Sequence, residues 1–372
     1  MKHVNLAVLV ISLSALVGCN GKVLVGVVLP ETGEAQAYGS SVRSGAKLAF
    51  DDAKAARKAP AGLEVIYRDT ASDPTRAADE IAQFYKDGAL IVIGGATSSE
   101  AKASIPIAER FGRILLSPSA SAPGLTKAAG DFYRVYPSDT VEVTDAVEFL
   151  ARDRKFKKVL VLFEDNTYTQ ELLPVFTLEA RKLGLVVLGR LNVGETGWEK
   201  KLALALTPAR PEDKPEALYL CGYGEAILAA LLEVRNANYG GVICTTSAIS
   251  TVDLLWRGGT LVEGVYFPMM VVDTTSQQEP IKTFVKRYKE VNNLTPDIYA
   301  AAGYDAALTV LRVLAEPTPK SAVEVKNRLS GLSDLRGVTG PISFDSMGNI
   351  KTRPQLHWVN NGKVELYKPS GT

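Results

Sequence analysis

The sequence predicts an α/β protein built from two doubly wound lobes, each around a parallel sheet, with a cleft between the lobes. Short apolar runs that stop at Gly, Pro, Ser or Asn alternate with amphipathic stretches long enough for helices. This alternation is typical of buried parallel strands covered by helices on both faces. It runs to Tyr136 and starts again at Lys157, so the 372 residues divide into two series of ordinary domain size.

In the first series, strands are predicted at residues 23–29, 63–67, 90–93, 114–116 and 132–136. The helix predicted over residues 40–58 has Val42, Ala46 and Leu48 on its apolar face and Arg43 and Lys47 on its polar face. Further helices are predicted over residues 75–86 and from about residue 100 to residue 111.

In the second series, strands are predicted at residues 159–163, 185–188, 217–220, 242–244 and 265–267, with helices over 168–183, near 198 and over 225–235. Two longer helical patterns follow over 280–291 and 297–314, and the second is apolar all round, which predicts burial. The chain closes with strands at 342–344, 356–359 and 364–367. The last two flank Asn360-Asn361-Gly362-Lys363, a hairpin turn signal.

The stretch from Leu90 to Thr126 contains the candidate binding site. Its two apolar runs are followed by Ala96-Thr97-Ser98-Ser99 and by Ser117-Pro118-Ser119-Ala120-Ser121-Ala122-Pro123. We expect a helix to begin after each loop, with unpaired backbone N–H groups in its first turn and hydroxyls beside them. Two such ends at the carboxyl edge of neighbouring strands predict a donor-rich pocket for an anion such as a carboxylate. Ordinary helix caps are the alternative for either loop alone.

Residues 1–19 are predicted to be a signal peptide outside the fold. Lys2 and His3 precede an almost wholly apolar run from Val4 to Val17, which is too short to span a membrane comfortably. The sequence Leu-Val-Gly-Cys that ends at Cys19 resembles the cleavage site of a bacterial lipoprotein, with the lipid attached to Cys19. Such an anchor holds a protein on a membrane surface without crossing the bilayer. A plain secretory signal is the alternative.

Composition and motifs argue against several other classes of function. The charged fraction is 22% and the formal net charge is +1, so nothing indicates a nucleic-acid partner. Cys221 and Cys244 form no metal-binding motif and are either buried free thiols or a disulfide pair. His357 is the only histidine after the signal, and no dinucleotide, phosphate-loop or hydrolase motif is present. We therefore expect no enzymatic activity, no cofactor and no metal.

Several short motifs, each weak alone, occur together in an informative order and spacing. They are Thr32-Gly33 with Ala37-Tyr38-Gly39 and Gly45-Ala46, Asp69 with Ser72-Asp73-Pro74, Ile93 to Ser99, Ser117 to Pro123, Gly222-Tyr223, Glu263-Gly264-Val265 and Tyr304-Asp305-Ala306. Behind a lipoprotein signal, they make the chain resemble the solute-binding proteins of branched-chain amino acid ABC transporters. These form the leucine/isoleucine/valine-binding group of type I periplasmic binding proteins.

The resemblance implies a lobe organisation and a role. The chain is expected to cross between the lobes three times, near Tyr136, Phe267 and Phe344. Lobe 1 then comprises residues 22–135 and 268–343, and lobe 2 comprises residues 136–267 and 344–372. A small ligand lies in the cleft, the lobes close over it by a hinge motion, and the protein delivers it to the membrane subunits of an ABC permease. The expected location is the periplasm or the outer face of the bacterial cell membrane.

The resemblance also implies roles for individual residues. The α-carboxylate of an amino acid would accept hydrogen bonds from the N–H and hydroxyl of Ser98 and from the N–H of Ser121. The Ser121 hydroxyl and the Ser119 carbonyl would face the ammonium group. The rest of the predicted site consists of Thr97 and Ala120 in the same loops and of Tyr38, Ala96, Tyr168 and Tyr223 around the side chain of the ligand.

One position departs from the family pattern. Where the amino-acid binders carry an acidic residue for the ammonium group, after the strand that ends at Cys244, this chain has Ser247. An ammonium group closed in a cleft without a counter-charge is unfavourable by several kcal/mol. Either Glu225 or Asp305 substitutes for the missing acid, or the ligand lacks an ammonium group, as a simple carboxylate, an amide or an aromatic acid does.

Two other classes of function are alternatives to an importer receptor. A ligand sensor would have the same fold and the same pocket but would signal to a partner protein. An enzyme would have to use Asp69, Asp73 and Glu100 for acid–base chemistry, although no nucleophile–base pair accompanies them in the sequence.

Overall fold

The structure is a computed structural model that describes residues 21–128, 130–270 and 272–368. The predicted signal peptide, with Cys19 at its end, lies outside the described residues. Within the described ranges, none of the helices is both long and apolar enough to span a membrane.

The first sheet has five strands, all parallel, in the order β2-β1-β3-β4-β5. They are β1 (Val23–Leu29), β2 (Leu63–Asp69), β3 (Ile91–Gly94), β4 (Ile114–Ser117) and β5 (Phe132–Arg134). All five strands predicted in the first series are confirmed. Because β3 and β4 are neighbours and parallel, the loops that follow them lie side by side at one edge of the sheet.

The second sheet has seven strands in the order β14-β13-β10-β9-β8-β6-β7. Its strands are β6 (Lys158–Phe163), β7 (Val186–Asn192), β8 (Ala217–Cys221), β9 (Val242–Thr245), β10 (Val265–Met269), β13 (Gln355–Asn360) and β14 (Lys363–Leu366). The two remaining strands, β11 (Leu335–Arg336) and β12 (Pro341–Ile342), pair with each other in a separate two-stranded sheet. β6 to β10 pair in parallel. The predicted C-terminal hairpin, β13 and β14, adds to this sheet as an antiparallel edge next to β10.

Helices cover the sheets and connect the strands. In the described residues they are α1 (Gln36–Ala55), α2 (Pro74–Lys86), α3 (Ser98–Phe111), α4 (Asp139–Glu148), α5 (Thr167–Lys182), α6 (Trp198–Leu206), α7 (Gly224–Asn236), α8 (Val252–Gly258), α9 (Ile281–Asn292), α10 (Ile298–Val313) and α11 (Ala322–Ser330). The sequence prediction missed α4, α8 and α11. The helix expected after the second serine-rich loop is wrong, because Pro123–Leu125 forms only one 3₁₀ turn before the chain continues to β5.

The chain passes three times between the two sheets. It leaves the first sheet after β5, returns after β10 through α9 and α10, which pack against α1, and goes back to the second sheet at β13. The prediction of two α/β lobes joined by three crossovers is therefore confirmed.

Helices α1 and α10 approach so closely that glycine is required where they cross. A Cβ on Gly303 would lie 2.1 Å from the carbonyl O of Val42, and a Cβ on Gly45 would lie 1.8 Å from the carbonyl O of Ala300. Since both clashes are with backbone atoms, rotation of a side chain would not relieve them. Tyr38 lies in the first turn of α1, so this packing fixes the position from which Tyr38 reaches the cleft.

The two cysteines of the described region do not form a disulfide. Cys221 on β8 and Cys244 on β9 are both free and buried. Burial raises the pKa of both thiols, so they are unreactive core residues. The free-thiol alternative is the one that the structure shows.

Candidate functional site

A cavity lies between the two lobes and is lined by loops from both. Its volume is about 30 Å³, which is room for only a few water molecules. Nine of the twelve residues predicted to bind a ligand line it: Tyr38, Ala96, Thr97, Ser98, Ser119, Ser121, Tyr168, Tyr223 and Ser247. Tyr136, Ala248 and Tyr299 also line the cavity. Contact of these residues with a ligand stays a prediction.

The first loop supplies the N-terminus of α3. Thr97 caps the helix, since its hydroxyl accepts a hydrogen bond from the N–H of Glu100 at 3.2 Å. Within the described part of the chain, the N–H groups of Ser98 and Ser99 have no hydrogen-bond partner. The Ser98 hydroxyl accepts a hydrogen bond from the N–H of Ala122 at 3.2 Å, so its proton is available to a ligand. These donors at a helix N-terminus favour an anionic group.

The second loop is held against the first by serine hydroxyls. The Ser117 hydroxyl donates to the carbonyl O of Gly95 at 2.7 Å, and the Ser119 hydroxyl donates to the carbonyl O of Ala96 at 2.7 Å. Among the described residues, neither the N–H of Ser121 nor the carbonyl O of Ser119 has a hydrogen-bond partner. This loop therefore adds one donor and one acceptor beside the cavity without being a helix N-terminus.

Tyr38 connects the two lobes across the cavity. Its hydroxyl donates to the carbonyl O of Ala248 at 2.9 Å and accepts a hydrogen bond from the N–H of Gly224 at 2.6 Å. Both partners follow strands of the second sheet, since Gly224 is the first residue of α7 and Ala248 lies in the turn after β9, whereas Tyr38 belongs to α1 beside the first sheet. Its ring contacts that of Tyr299, with centroids 5.0 Å apart. The cleft is closed in this structure, and the Tyr38 hydroxyl is part of the closure.

Aromatic rings form much of the remaining wall. Tyr168 and Tyr223 stack with centroids 5.8 Å apart, and Tyr136 and Tyr299 stack with centroids 6.0 Å apart. In the part of the chain that is described, the buried Tyr223 hydroxyl makes no aligned hydrogen bond. Burial raises the pKa of Tyr223 to about 12, so this group is a neutral hydroxyl. The rings offer apolar faces to a ligand and a few hydroxyls at their edges.

Sequence reasoning missed two buried acids behind the cavity wall. Asp139 and Glu142 lie one turn apart at the start of α4, with 0% and 3% of their surface exposed. The Ser121 hydroxyl donates to Asp139 Oδ2 at 2.8 Å, and the Ser247 hydroxyl donates to Glu142 Oε2 at 2.9 Å. Burial raises the pKa of both carboxyls, and the Asp139 charge raises the pKa of Glu142 further. Ser138, which caps α4, is the helix-start signal that would have placed both acids in one first turn.

Arg134 on β5 is a buried cation near this acid pair. Its guanidinium donates to Asn349 Oδ1 at 2.7 Å and to the carbonyl O of Ala122 at 2.9 Å. Burial lowers the pKa of Arg134 to about 10, and the charge of Asp139 opposes this effect. The Arg134 charge in turn opposes the rise in the pKa of Asp139. Asp139 is thus the acid of the pair with a nearby cation to favour its ionised form.

Three predicted site residues lie outside the cavity lining. Ala120 is part of the second loop, but its side chain is buried away from the cavity. Glu225 lies on the outer surface, where Arg257 pairs with both of its carboxylate oxygens. Asp305 is buried in α10 and accepts a hydrogen bond from the N–H of Val338 at 2.7 Å, so it anchors that loop. Neither acid lines the cavity, so neither Glu225 nor Asp305 replaces the missing counter-charge there.

The three acids of the enzyme alternative serve in turns and caps. Asp69 accepts a hydrogen bond from the Thr32 hydroxyl at 2.7 Å, and Asp73 accepts one from the N–H of Thr75 at 2.7 Å. Glu100 belongs to the capping box of α3, and burial raises the pKa of its carboxyl to about 7. None of these three acids is among the residues that line the cavity.

The chemistry of the cavity is that of a binding site for a small polar molecule. Its lining, as far as the chain is described, consists of hydroxyls, backbone groups and aromatic rings, without an acidic or basic side chain. Within the same ranges, no group of three or more His, Cys, Asp or Glu is arranged to hold a metal ion. The unpaired donors of Ser98 and Ser121 suit a carboxylate.

Comparison with known proteins identifies the class to which this fold and cavity belong. The family model described as periplasmic binding protein matches residues 22–354, and the chain belongs to this family. The members of the family are solute-binding receptors, so the predicted family, fold class and absence of enzymatic function agree with this membership.

Individual relatives are similar over nearly the whole chain. The leucine-, isoleucine-, valine-, threonine- and alanine-binding protein of Pseudomonas aeruginosa is 23% identical over 327 residues, which are 87% of this chain and 85% of that protein. The leucine-binding protein LivK of Thermotoga maritima has a TM-score of 0.85 at 24% identity, covering 93% of this chain and 98% of that chain. LivJ of Streptococcus pneumoniae, a branched-chain amino acid transporter substrate-binding protein solved with isoleucine, has a TM-score of 0.83 at 23% identity, covering 94% and 100%.

Proposed function

We propose that this protein is the extracytoplasmic receptor of an ABC importer and that it captures a small carboxylate-bearing solute between its lobes. An amino acid is the first candidate. The observation that carries the proposal is the convergence of unpaired donors from two adjacent loops on one interlobe cavity, namely the hydroxyl and N–H of Ser98 and the N–H of Ser121. Family membership supports it, as do the relatives, whose names describe the binding of leucine and other amino acids.

The proposed complex places the two ends of an amino acid on different parts of the cavity. The carboxylate accepts hydrogen bonds from Ser98 and Ser121, where the dipole of α3 adds a favourable interaction. The carbonyl O of Ser119 accepts a hydrogen bond from the amine. The stacked rings of Tyr168 and Tyr223 enclose the apolar part of the ligand.

The proposed binding cycle includes opening and closing of the cleft. The residues that line the cavity are buried in this closed form, so the lobes separate to admit a ligand and close again around it. We place the hinge segments near Tyr136, Phe267 and Phe344. Lobe 1 then comprises residues 22–135 and 268–343, and lobe 2 comprises residues 136–267 and 344–372.

The proposed location is outside the cytoplasm, with the protein anchored to a membrane by a lipid on Cys19. The Leu-Val-Gly-Cys sequence that ends the apolar segment is the support for this anchor. An anchored receptor would then release its solute to the membrane subunits of an ABC permease. A ligand sensor with the same pocket would instead transmit the closed conformation to a signalling partner.

A second candidate ligand is a carboxylate without an amine, such as an aromatic acid. The observation that favours it is the absence of any acidic side chain from the cavity lining in the described residues, with Ser247 where a counter-charge would be expected. Such a ligand would use the same Ser98 and Ser121 donors. Its aromatic or aliphatic part would lie between the tyrosine rings.

A thermal-shift screen of the purified protein tests the proposal. The screen contains the common amino acids, their deaminated counterparts and benzoate. At least one carboxylate should raise the melting temperature, because a ligand at 100 times its Kd stabilises the native state by about 2.7 kcal/mol. The amide of the strongest stabiliser, such as leucinamide for leucine, is the matched control and should give little shift. A flat response to every carboxylate at millimolar concentration would contradict the proposed function.

A further inference from the structure

Three hydroxyl groups on one side of the cavity already donate hydrogen bonds to acceptors of the protein. Ser119 donates to the carbonyl O of Ala96, Ser121 donates to Asp139 and Ser247 donates to Glu142, at 2.7, 2.8 and 2.9 Å. A hydroxyl that donates inward has only lone pairs left for the cavity. The Ser98 hydroxyl differs, because it accepts from a backbone N–H and keeps its proton free. The cavity therefore has a donor side at Ser98 and an acceptor side at Ser121 and Ser247.

Two carboxyl groups back this acceptor side. Asp139 and Glu142 are both buried, and the second acid also accepts a hydrogen bond from the Tyr136 hydroxyl at 3.3 Å. A hydroxyl that donates to a carboxylate is polarised, so its oxygen becomes a better acceptor. An acceptor side of this kind suits a cationic nitrogen and disfavours a second anion.

Two buried polar atoms near the cavity have incomplete hydrogen bonding. Asp139 Oδ1 and Thr246 Oγ1 make no hydrogen bond of good geometry with any described residue, although the Tyr168 hydroxyl lies near both residues and the Glu142 carboxyl lies near Asp139. Asp139 is 0% exposed, and Thr246, next in the chain to the lining Ser247, is 1% exposed. Native proteins rarely leave buried polar atoms without a partner unless a ligand or water supplies one.

The charges around the acid pair determine how it responds to a cation. Arg134 is the positive group that faces Asp139, and Arg134 also interacts with Asp345. Burial raises the pKa of the other titratable groups near the pair and keeps them neutral; they are the Cys221 thiol and four tyrosines, Tyr136, Tyr168, Tyr219 and Tyr299. Arg134 and Asp139 balance each other, which leaves Glu142 without a cation. Burial and the Asp139 charge raise the pKa of Glu142, which favours the protonated form of this carboxyl while the site is empty.

We propose that Asp139 and Glu142 provide the counter-charge for a cationic nitrogen on the ligand, acting through the hydroxyls of Ser121 and Ser247, and that amine-bearing carboxylates are preferred over their deaminated counterparts. The proposal rests on the proposed function and specifies its ligand class. When the ammonium group arrives, the Glu142 carboxyl loses its proton to solvent and becomes a carboxylate. The positive charges of Arg134 and the ligand nitrogen then match the negative charges of the two acids. The two acids of α4 thereby supply the counter-charge that an acidic residue after β9 would otherwise supply.

Calorimetric titration of the purified protein with L-leucine and with 4-methylpentanoate tests this inference. The two compounds share one carbon skeleton and differ in the amine. Leucine should bind at least tenfold more tightly. Titrations at pH 7 in phosphate and in Tris, which differ in ionisation enthalpy, should show release of about one proton with leucine and of none with 4-methylpentanoate.

Variants separate an electrostatic role from a structural one. Glu142→Gln keeps the size of the side chain and should weaken leucine at least tenfold, leave 4-methylpentanoate within twofold and abolish the proton release. Ser247→Ala removes the hydroxyl that lies between Glu142 and the ligand nitrogen. It should likewise lower the preference for leucine over 4-methylpentanoate. Glu225→Gln is the matched control on the outer surface and should change neither affinity. If Glu142→Gln fails to fold, Ser247→Ala and the proton count on the wild-type protein decide the question.

The outcomes distinguish this inference from the proposed function. If leucine and 4-methylpentanoate are both inert, the pairs alanine with propanoate and phenylalanine with 3-phenylpropanoate replace them. A protein that binds the deaminated acids as tightly as the amino acids, or whose Glu142→Gln variant weakens both equally, overturns the counter-charge and leaves the carboxylate receptor intact. A protein that binds no carboxylate of either kind overturns both.

Discussion

The Tyr38→Phe substitution removes a single oxygen atom that joins the lobes in the closed state. The lost hydroxyl leaves the carbonyl O of Ala248 and the N–H of Gly224 without their partner. Tyr38 is 5% exposed, so water does not readily replace the hydroxyl while the cleft is closed. The ring and its contact with Tyr299 are retained, so the change acts on the hydrogen bonds and leaves the packing in place.

The expected magnitude follows from the two groups that lose a partner. Each buried, unsatisfied backbone group is unfavourable by about 1–3 kcal/mol, and the N–H of Gly224 is partly relieved because it lies at a helix start. We expect the closed state to lose about 3 kcal/mol relative to the open state. If the ligand-free protein is mostly open and ligand binds with closure, this loss weakens binding by about a hundredfold.

Calorimetry and small-angle scattering together measure this effect. Tyr38→Phe should bind the strongest stabiliser of the thermal screen about a hundredfold more weakly, and its ligand-free radius of gyration should not fall below that of the wild-type protein. Tyr85→Phe is the matched control, because the buried Tyr85 hydroxyl donates to the carbonyl O of Ile114 at 3.0 Å within the first lobe. This control should lower stability without changing affinity. Equal affinities for wild-type and Tyr38→Phe protein would refute the role of this hydroxyl in closure.

Three further predictions concern stability and location. In urea unfolding, Gly303→Ala should destabilise the fold by about 1–3 kcal/mol, because the new Cβ would lie 2.1 Å from a backbone oxygen of α1. The control Gly240→Ala, where the Cβ enters open space, should leave stability unchanged. An equally small effect of Gly303→Ala would contradict the close contact between the helices. The pKa of Glu100 is raised from its ordinary 4.5 to about 7, so the protonated carboxyl stabilises the fold fully below pH 4.5, and this contribution is lost as the pH rises through 7. Glu100→Gln should remove about 3 kcal/mol of this pH dependence of stability. Parallel stability profiles for the variant and the wild-type protein would show that Glu100 does not titrate in this way. Cys19→Ser should move the protein from the membrane to the soluble fraction of cells, and a variant that stays with the membrane would argue against the lipid anchor.

Most of the fold could be predicted because its signals are local. Apolar runs such as Val23–Leu29 and Ile114–Ser117 are strands buried on both faces, and their ends are marked by proline, glycine or serine. The positions of Ser98, Ser119 and Ser121 follow from the same logic, since neighbouring parallel strands bring the loops at their carboxyl ends together. These three residues line the cavity.

The charges of the site could not be predicted in the same way. Asp139 and Glu142 occupy the first turn of a helix, where acids are ordinarily solvent-exposed and favoured by the helix dipole. Only the crossover from β5, which carries the start of α4 behind Ser121 and Ser247, buries them. The position of Glu225 could not be predicted for the opposite reason, because its sequence neighbourhood does not reveal that its side chain points outward to Arg257.

The measurement that tests the central claim most directly compares Ser98→Ala with Ser104→Ala in calorimetric titrations with the strongest carboxylate stabiliser. Both serines are buried in α3, but Ser104 is not among the residues that line the cavity, and its hydroxyl has no hydrogen-bond partner among the described residues. Ser98→Ala should weaken binding by about 1–3 kcal/mol, as expected for the loss of a hydrogen bond to a charged group, while Ser104→Ala should bind as the wild-type protein does. An unchanged affinity in Ser98→Ala would contradict the placement of a carboxylate at the N-terminus of α3.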